Sequence, residues 1–252
     1  MNQKSLTPNK LLQQADEEIL VLLIMDALRR IIVHHGLWLA ETEHQFGLEK
    51  ALEIESEVWQ ASLANQMQRL GKYLDFEVEN GIPTILKKLP RQTLAGLIEK
   101  IAVNWLANDG IWFQAVERKH GLLDAKRCND TCWTRFSPYE ATRIKNLLEL
   151  PENGGIPALK QALAFRLYAV INEQSIEEVN ENRIIFRMNN CRVQEARKRK
   201  GLTDYPCKSA GMVEYPYFAK TIDPRIKTKC IGCPPDEHPP EWYCAWEFTV
   251  EE

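Results

Sequence analysis

The sequence contains no apolar run long enough to cross a bilayer: the longest, Ile19 to Met25, is far short of the roughly 20 residues a membrane helix needs. It has no surplus of charge of one sign. With 32 Lys and Arg against 35 Asp and Glu, its formal net charge is -3, and no broad field draws the chain to DNA, RNA or an anionic membrane. Its first residues, MNQKSLTPNKLLQQADEE, lack the basic start, apolar stretch and small-residue cleavage site of a signal peptide. Nor is there a Gly-x-Ser-x-Gly elbow, a P-loop or a Gly-x-Gly-x-x-Gly dinucleotide fingerprint. The expectation is a cytoplasmic protein with a small-molecule ligand and with neither nucleic acid nor membrane as partner. Nothing in the sequence sets an oligomeric state.

What is present starts with size. A chain of 252 residues with 44% hydrophobic residues can bury a core without cross-links. Seven cysteines in a reducing compartment then read as thiols, metal ligands or redox groups rather than disulfides. Cys128 and Cys132 lie mid-chain, and five more fall between Cys191 and Cys244.

The sequence also repeats itself. At an offset of 74 residues, Gly36, Trp38, Glu43, Gly47, Leu48, Ala51 and Trp59 recur as Gly110, Trp112, Glu117, Gly121, Leu122, Ala125 and Trp133. Further on, Arg69, Leu74 and Gly81-Ile82-Pro83 recur as Arg143, Leu148 and Gly155-Ile156-Pro157. The repeat units are about 36–86 and 110–160. The spacing by four of Glu43, Gly47 and Ala51 predicts a helix with small residues stacked on one face, open to a neighbouring helix. Further helices are expected at 18–34, 63–74, 94–106 and 138–150. Residues 1–171 therefore read as a duplicated helical domain.

Glu43 and Glu117, kept by both copies beside Trp and Gly, are the candidate catalytic carboxylates: a matched pair near a pseudo-twofold axis would serve as acid and base or hold a divalent metal. The competing reading gives each a capping or ion-pairing role. Glu41-x-x-His44 and Glu117-x-x-His120 share a spacing with di-iron bundles, but they do not align in the repeat, since Glu41 corresponds to Ala115 and His44 to Arg118. The His34-His35 pair fits a helix C-terminus, where it complements the dipole.

Residues 172–252 predict a second, cysteine-rich domain. Alternation at 176–179 and 184–188 around Asn180-Glu181-Asn182 reads as a hairpin; helices at 193–200 and 210–222 and strands at 225–231 and 242–250 follow. The order ββααββ predicts a small antiparallel sheet with helices on one face, hence an α+β chain. The basic run Ala196 to Leu202, ARKRKGL, reads as a solvated helix face. Cys230-Ile231-Gly232-Cys233 is the sharpest chemical element, because a Cys-x-x-Cys turn lets two thiolates bite one ion. Cys207 and Cys244 would complete a four-thiolate site, with Cys191 as spare or substitute ligand. Zinc and an iron–sulfur cluster are not separated by such ligands. Buried unliganded thiols and a redox dithiol at Cys230 and Cys233 are the other readings. His238, in the Pro234–Pro240 loop, is a further conceivable ligand.

The stretch C-R-V-Q-x-A-R-x3-G-L-x4-C from Cys191 to Cys207, F-A-x3-D-P-R-I from Phe218, C-x2-C-P-P-D from Cys230, and W-x-C-A-W-x-F from Trp242 resemble a group of bacterial and archaeal cytosolic proteins. That group is related to the L-2-amino-thiazoline-4-carboxylic acid hydrolase-like proteins. The G-x-W-F-x3-E segment around Trp112 resembles it more loosely. The terminal, cysteine-bearing strand also resembles the vinyl-reductase-type ligand-binding domain, in some members of which cysteines hold zinc beside a small-molecule pocket. Cys207, Cys230 or Cys233, and Cys244 match those places; the Gly-Asp signature before the last cysteine is absent. The resemblance implies a metal-binding cytosolic protein with a small-molecule pocket, or a hydrolase opening a small cyclic amidine or amide, with a non-catalytic ligand sensor as the third reading.

Overall fold

The computed structural model describes residues 8–250 and divides into two compact units, the first ending at Ser62 and the second beginning at Leu63. The first holds α1 (Pro8–Gln13), α2 (Glu17–Phe46) and the start of α3 (Leu48–Leu74). Gly47 alone joins α2 to α3. Its φ of 84° with ψ of 161° is a conformation essentially reserved for glycine, and it turns the chain back on itself, so that His35 meets Glu55 and Trp59. The Gly47 N–H caps the helix by donating to the Glu43 carbonyl at 2.8 Å.

The second unit continues through β1 (Val78–Glu79), β2 (Ile82–Pro83) and α4 (Thr84–Lys87) to α5 (Arg91–His120) and α6 (Leu122–Leu148). Gly121, with φ 87°, makes the same one-residue turn, and its N–H donates to the Glu117 carbonyl at 2.8 Å. Every boundary of α5 and α6 is that of α2 and α3 moved along by 74 residues. Two sequence expectations change here. The three separate helices expected in each copy are two long ones. Gly47 and Gly121 do not open a helix face to a neighbour; they are the points where the helix stops and reverses, because their positive φ cannot continue a right-handed helix.

Beyond α6 come α7 (Gly155–Ala164), a 3-10 turn (Leu167–Val170), β3 (Glu173–Asn180), β4 (Arg183–Asn190), α8 (Arg192–Lys198), α9 (Lys208–Ile222), β5 (Ile226–Gly232) and β6 (Cys244–Val250). The four strands form an antiparallel sheet in the order β3-β4-β6-β5. This is the α+β arrangement expected, with the hairpin where Asn180 to Asn182 places it.

Alternation turns Ile184, Phe186 and Met188 of β4 into the core, beside Trp246 and Phe248 of β6. Burying one such side chain contributes about 1.5–3 kcal/mol, so this row is a principal source of stability. Helix α9 lies against the row, with Tyr215 stacked on Trp246 at 4.6 Å. Gly211 permits that approach: a Cβ there would stand 2.6 Å from Trp246 Cζ2.

The other side of α9 packs along α6, whose Ala141 and Ile144 join the same core. The second hairpin and the sheet thus share one compact unit, and the division expected at 171/172 separates segments that bury each other's apolar faces. Between them lies Arg166, 2% exposed, donating through Nε to Glu140 and through Nη2 to Glu214, both at 2.8 Å. Burial opposes the guanidinium's charge, but the two carboxylates outweigh it and raise its pKa.

Candidate functional site

The second unit encloses a pocket of about 640 Å³ between the α5–α6 hairpin, α8 with the loop after it, α9 and the ends of β4 and β6. Phe113 and Trp133 come from the hairpin, Tyr205 from the loop and Tyr243 from the segment before β6. The pocket is therefore aromatic on several sides.

Four of the late cysteines, Cys191, Cys207, Cys233 and Cys244, line it, one from each of four places in the fold. Cys191 precedes α8, Cys207 precedes α9, Cys233 follows β5 and Cys244 opens β6. Cys207 and Cys244 lie close enough to Cys233 to act on its thiol. Those two contacts, together with burial, hold its proton tightly and push its pKa up. Cys207 moves the other way. The hydrogen bond from Cys233 favours its thiolate, burial opposes it, and Lys126 and the Gln194 amide add to the lowering. As a thiol, Cys207 donates instead to the Tyr205 carbonyl at 3.2 Å. Burial raises Cys191 to about 12.

Gln194 positions this arrangement. It is 1% exposed; its Nε2 donates to the Tyr205 carbonyl at 2.9 Å and to Cys207 Sγ at 3.0 Å, while its Oε1 accepts from the Tyr205 N–H at 2.7 Å. One buried amide thus fixes the loop and the thiol together.

The hairpin wall is polar at one level. Asn129 donates to Asp109 at 3.4 Å, and burial raises the Asp109 pKa against the pull of Lys126. The Lys126 ammonium lies 3.1 Å from Asp130 and 4.7 Å from the Tyr205 ring centroid. Glu117 lines the pocket as well; burial first, and then the negative charge of its neighbours including Glu117, disfavour ionisation of Tyr205. Glu214 reaches it from α9, its carboxyl pKa raised by burial against the opposing charge of Arg166.

Of the residues singled out from sequence, the structure gathers Glu117, Cys191, Cys207, Cys233 and Cys244 around this pocket. Cys230 packs against the apolar core from β5 and is not part of the lining. The Cys-x-x-Cys segment straddles the end of a strand, so its two sulfurs have different surroundings. Glu43 belongs to the first unit, at the end of α2. Glu41 accepts from Gln45 at 2.7 Å, and His44 and His120 occupy the last turns of α2 and α5. His238 contacts Asp204 Oδ2 and the Pro239 carbonyl, both at 2.9 Å. Cys128 and Cys132 are exposed on α6. Among the described residues, no group of three or more His, Cys, Asp or Glu side chains is placed so that it could hold a metal ion.

Sequence reasoning did not single out Gln194, Tyr205 or Glu214. Gln194 was visible as the fourth residue of C-R-V-Q, yet its role depends on a loop that folds back 11 residues later.

The family comparison fits this duplicated architecture. One model matches residues 12–95 and again 87–250, the second match starting close to one repeat period after the first. The chain belongs to DUF6125, a family of unknown function. The second DUF6125 match includes α5, α6, the sheet and every residue lining the pocket. No curated protein and no solved structure matches the chain.

Proposed function

We propose that this DUF6125 chain binds a small molecule in the pocket of its second unit, beside a soft metal centre held by Cys207, Cys233 and Cys244 with Cys191 as the fourth sulfur. The carrying observation is the gathering of these four cysteines around one pocket from four separate places in the fold. Sulfurs bound tetrahedrally at about 2.3 Å from zinc stand roughly 3.8 Å apart, so binding a metal would draw these thiols together. The donor set favours zinc or an iron–sulfur cluster over a hard cation. The Gln194 amide, donating to Cys207, supplies the outer hydrogen bond that stabilises a ligating sulfur. When bound, such a metal would supply Lewis acidity or electron transfer; the chain's aromatic side chains would orient the small molecule and exclude water. The resemblance to the vinyl-reductase-type domain points the same way.

The test is anaerobic purification followed by metal analysis, a visible spectrum and thiol titration. The expected result is about one zinc, or one cluster, per chain, lost on replacing Cys207 and Cys244 together with Ser while circular dichroism is retained. Metal-free, colourless protein with all seven thiols titratable overturns the metal reading.

A second reading, hydrolysis of a non-peptide C–N bond in a small cyclic amidine or amide, draws on one observation: Glu117 lines the same pocket as the thiols. Its carboxylate would activate water for attack on the ring. Glu117→Gln should then abolish turnover of 2-amino-thiazoline-4-carboxylate without altering thermal stability, and undiminished turnover refutes the role.

A further inference from the structure

The basic run Arg197 to Lys200 does not form an isolated solvated face. Arg197 near the end of α8 and Arg199 and Lys200 just beyond it line the pocket, joined by Arg192 at the start of α8 and Arg118 from the end of α5. These five cations line one pocket in a chain whose formal charge is -3. Three acidic residues, Asp109, Glu117 and Glu214, line the pocket with them. Glu214 is already engaged with Arg166 behind the wall, which leaves an excess of positive charge facing the opening. Arg197 is tethered, its Nε donating to the Thr203 carbonyl at 2.7 Å. The side chains of Arg118, Arg192, Arg199 and Lys200 have no ion-pair partner among the described residues.

Uncompensated cations around a concave, aromatic-lined opening concentrate field there and favour an anionic ligand. The remaining wall supplies the complementary half: Phe113 meets Tyr205 edge-on at 5.2 Å, and Trp133 and Tyr243 complete an apolar lining. We infer that the ligand is an amphipathic organic anion, whose flat apolar body lies against these rings and whose carboxylate, phosphate or sulfonate meets the guanidinium and ammonium groups in and just after α8. The inference rests on the pocket reading above but not on the identity or presence of the metal.

Two dyes of the same body separate the contributions: 1-anilinonaphthalene-8-sulfonate, an anion, and N-phenyl-1-naphthylamine, its neutral counterpart. Fluorescence titration of the full chain should give the sulfonate an affinity about ten-fold or more higher, falling with added salt, as charge-assisted contacts require. The triple variant Arg192→Gln, Arg199→Gln, Lys200→Gln should bring the two affinities to within about three-fold by weakening only the sulfonate. Phe113→Ala, which alters the wall but no charge, should weaken both dyes. Equal affinities in the parent, a preference that survives the triple variant, or indifference of both dyes to Phe113→Ala each overturns the inference. Metal content measured on the same samples keeps the readings apart. Retained metal without anion preference sinks this inference alone, and anion preference in metal-free protein sinks only the metal centre.

Discussion

The two hairpins descend from one pattern, yet only the second is built into a core. Ala51 and Ala125 are each 1% exposed, so both copies pack closely next to their turns. Eight residues further on the copies differ: Trp59 is 39% exposed and its counterpart Trp133 is 5% exposed. Trp133 is enclosed by Trp105, Phe136 and Tyr168, whereas Trp59 has an edge contact with His35. A polar pair across the hairpin occupies matching places in both copies but with exchanged chemistry. His35 lies 3.5 Å from Glu55 in the first, and Asp109 accepts from Asn129 in the second. Duplication supplied a scaffold; the chain after it made one copy the wall of a pocket, and that copy's polar pair became part of the lining.

The sharpest break between the copies is Arg166. In the second unit it satisfies Glu140 and Glu214, while the residue matching Glu140 in the first repeat is Gln66. Arg166→Met leaves two carboxylates buried without their cation and should cost about 3–5 kcal/mol in urea unfolding, enough to lose most of the stability of a domain this size. A cost below about 1 kcal/mol would mean that the triad is not the internal strut its burial indicates. The tryptophans give a direct pairwise comparison. Trp133→Ala should cost about 3–5 kcal/mol and Trp59→Ala about 1, because only the first removal leaves a cavity that neighbours cannot fill. Equal losses would show that the first hairpin is packed as tightly in solution as the second.

The fold was legible wherever local chemistry decides it. The hairpin around Asn180 to Asn182 and the α+β order follow from alternation and turn residues, and the 74-residue period locates both long hairpins. What sequence spacing could not tell was whether Gly47 and Gly121 smooth a helix face or end it, since the same i, i+4 spacing serves both until φ is known. The thiol site was half legible. Cys207, Cys233 and Cys244 were named, but the Cys-x-x-Cys spacing favoured Cys230 over Cys191. Strand geometry reverses that preference, because Cys230 is held in the sheet opposite Trp246 while Cys191, at the end of β4, reaches the pocket. The run of cations was read as a solvated face for the same reason: nothing local reports that α8 borders a cavity.

The matched glycines test the feature that the two hairpins share rather than the one that divides them. No atom lies within 4 Å of a Cβ built on either Gly47 or Gly121, so an alanine there meets no steric obstacle. The cost comes from φ of 84° and 87° alone and should be about 1–3 kcal/mol, nearly the same in each copy. Differential scanning calorimetry of the two single variants would read it. A loss in one and not the other would show that the one-residue turn is required in only one hairpin.

The smallest effect concerns the repeated Gly-Ile-Pro turns of the sequence, of which the first leads into β2 and the second opens α7, and which are held by different means. Gly81 packs against Ala64, whose Cα would lie 2.9 Å from an added Cβ, so the first turn is held by contact. The second is held by charge: Asp223 Oδ2 accepts from the Gly155 N–H at 2.9 Å and from Arg225 Nη2 at 2.7 Å, and Oδ1 accepts from the Arg225 N–H at 3.0 Å. The Arg225 hydrogen bond, helped by the two backbone donors and opposed by burial, lowers the Asp223 pKa to about 2 from an ordinary 3.8. A carboxyl whose pKa falls on folding contributes stability that is complete above the unfolded value and disappears as pH drops through the folded one. The window is therefore about pH 4 down to about pH 2. The contribution at neutral pH should be only about 1–2 kcal/mol, because the Arg225 side chain is 44% exposed and water screens the pair. Asp223→Asn should lower the unfolding midpoint at pH 7 and flatten its fall between pH 4 and 2. A variant as acid-sensitive as the parent would show that the second turn, like the first, is held by packing.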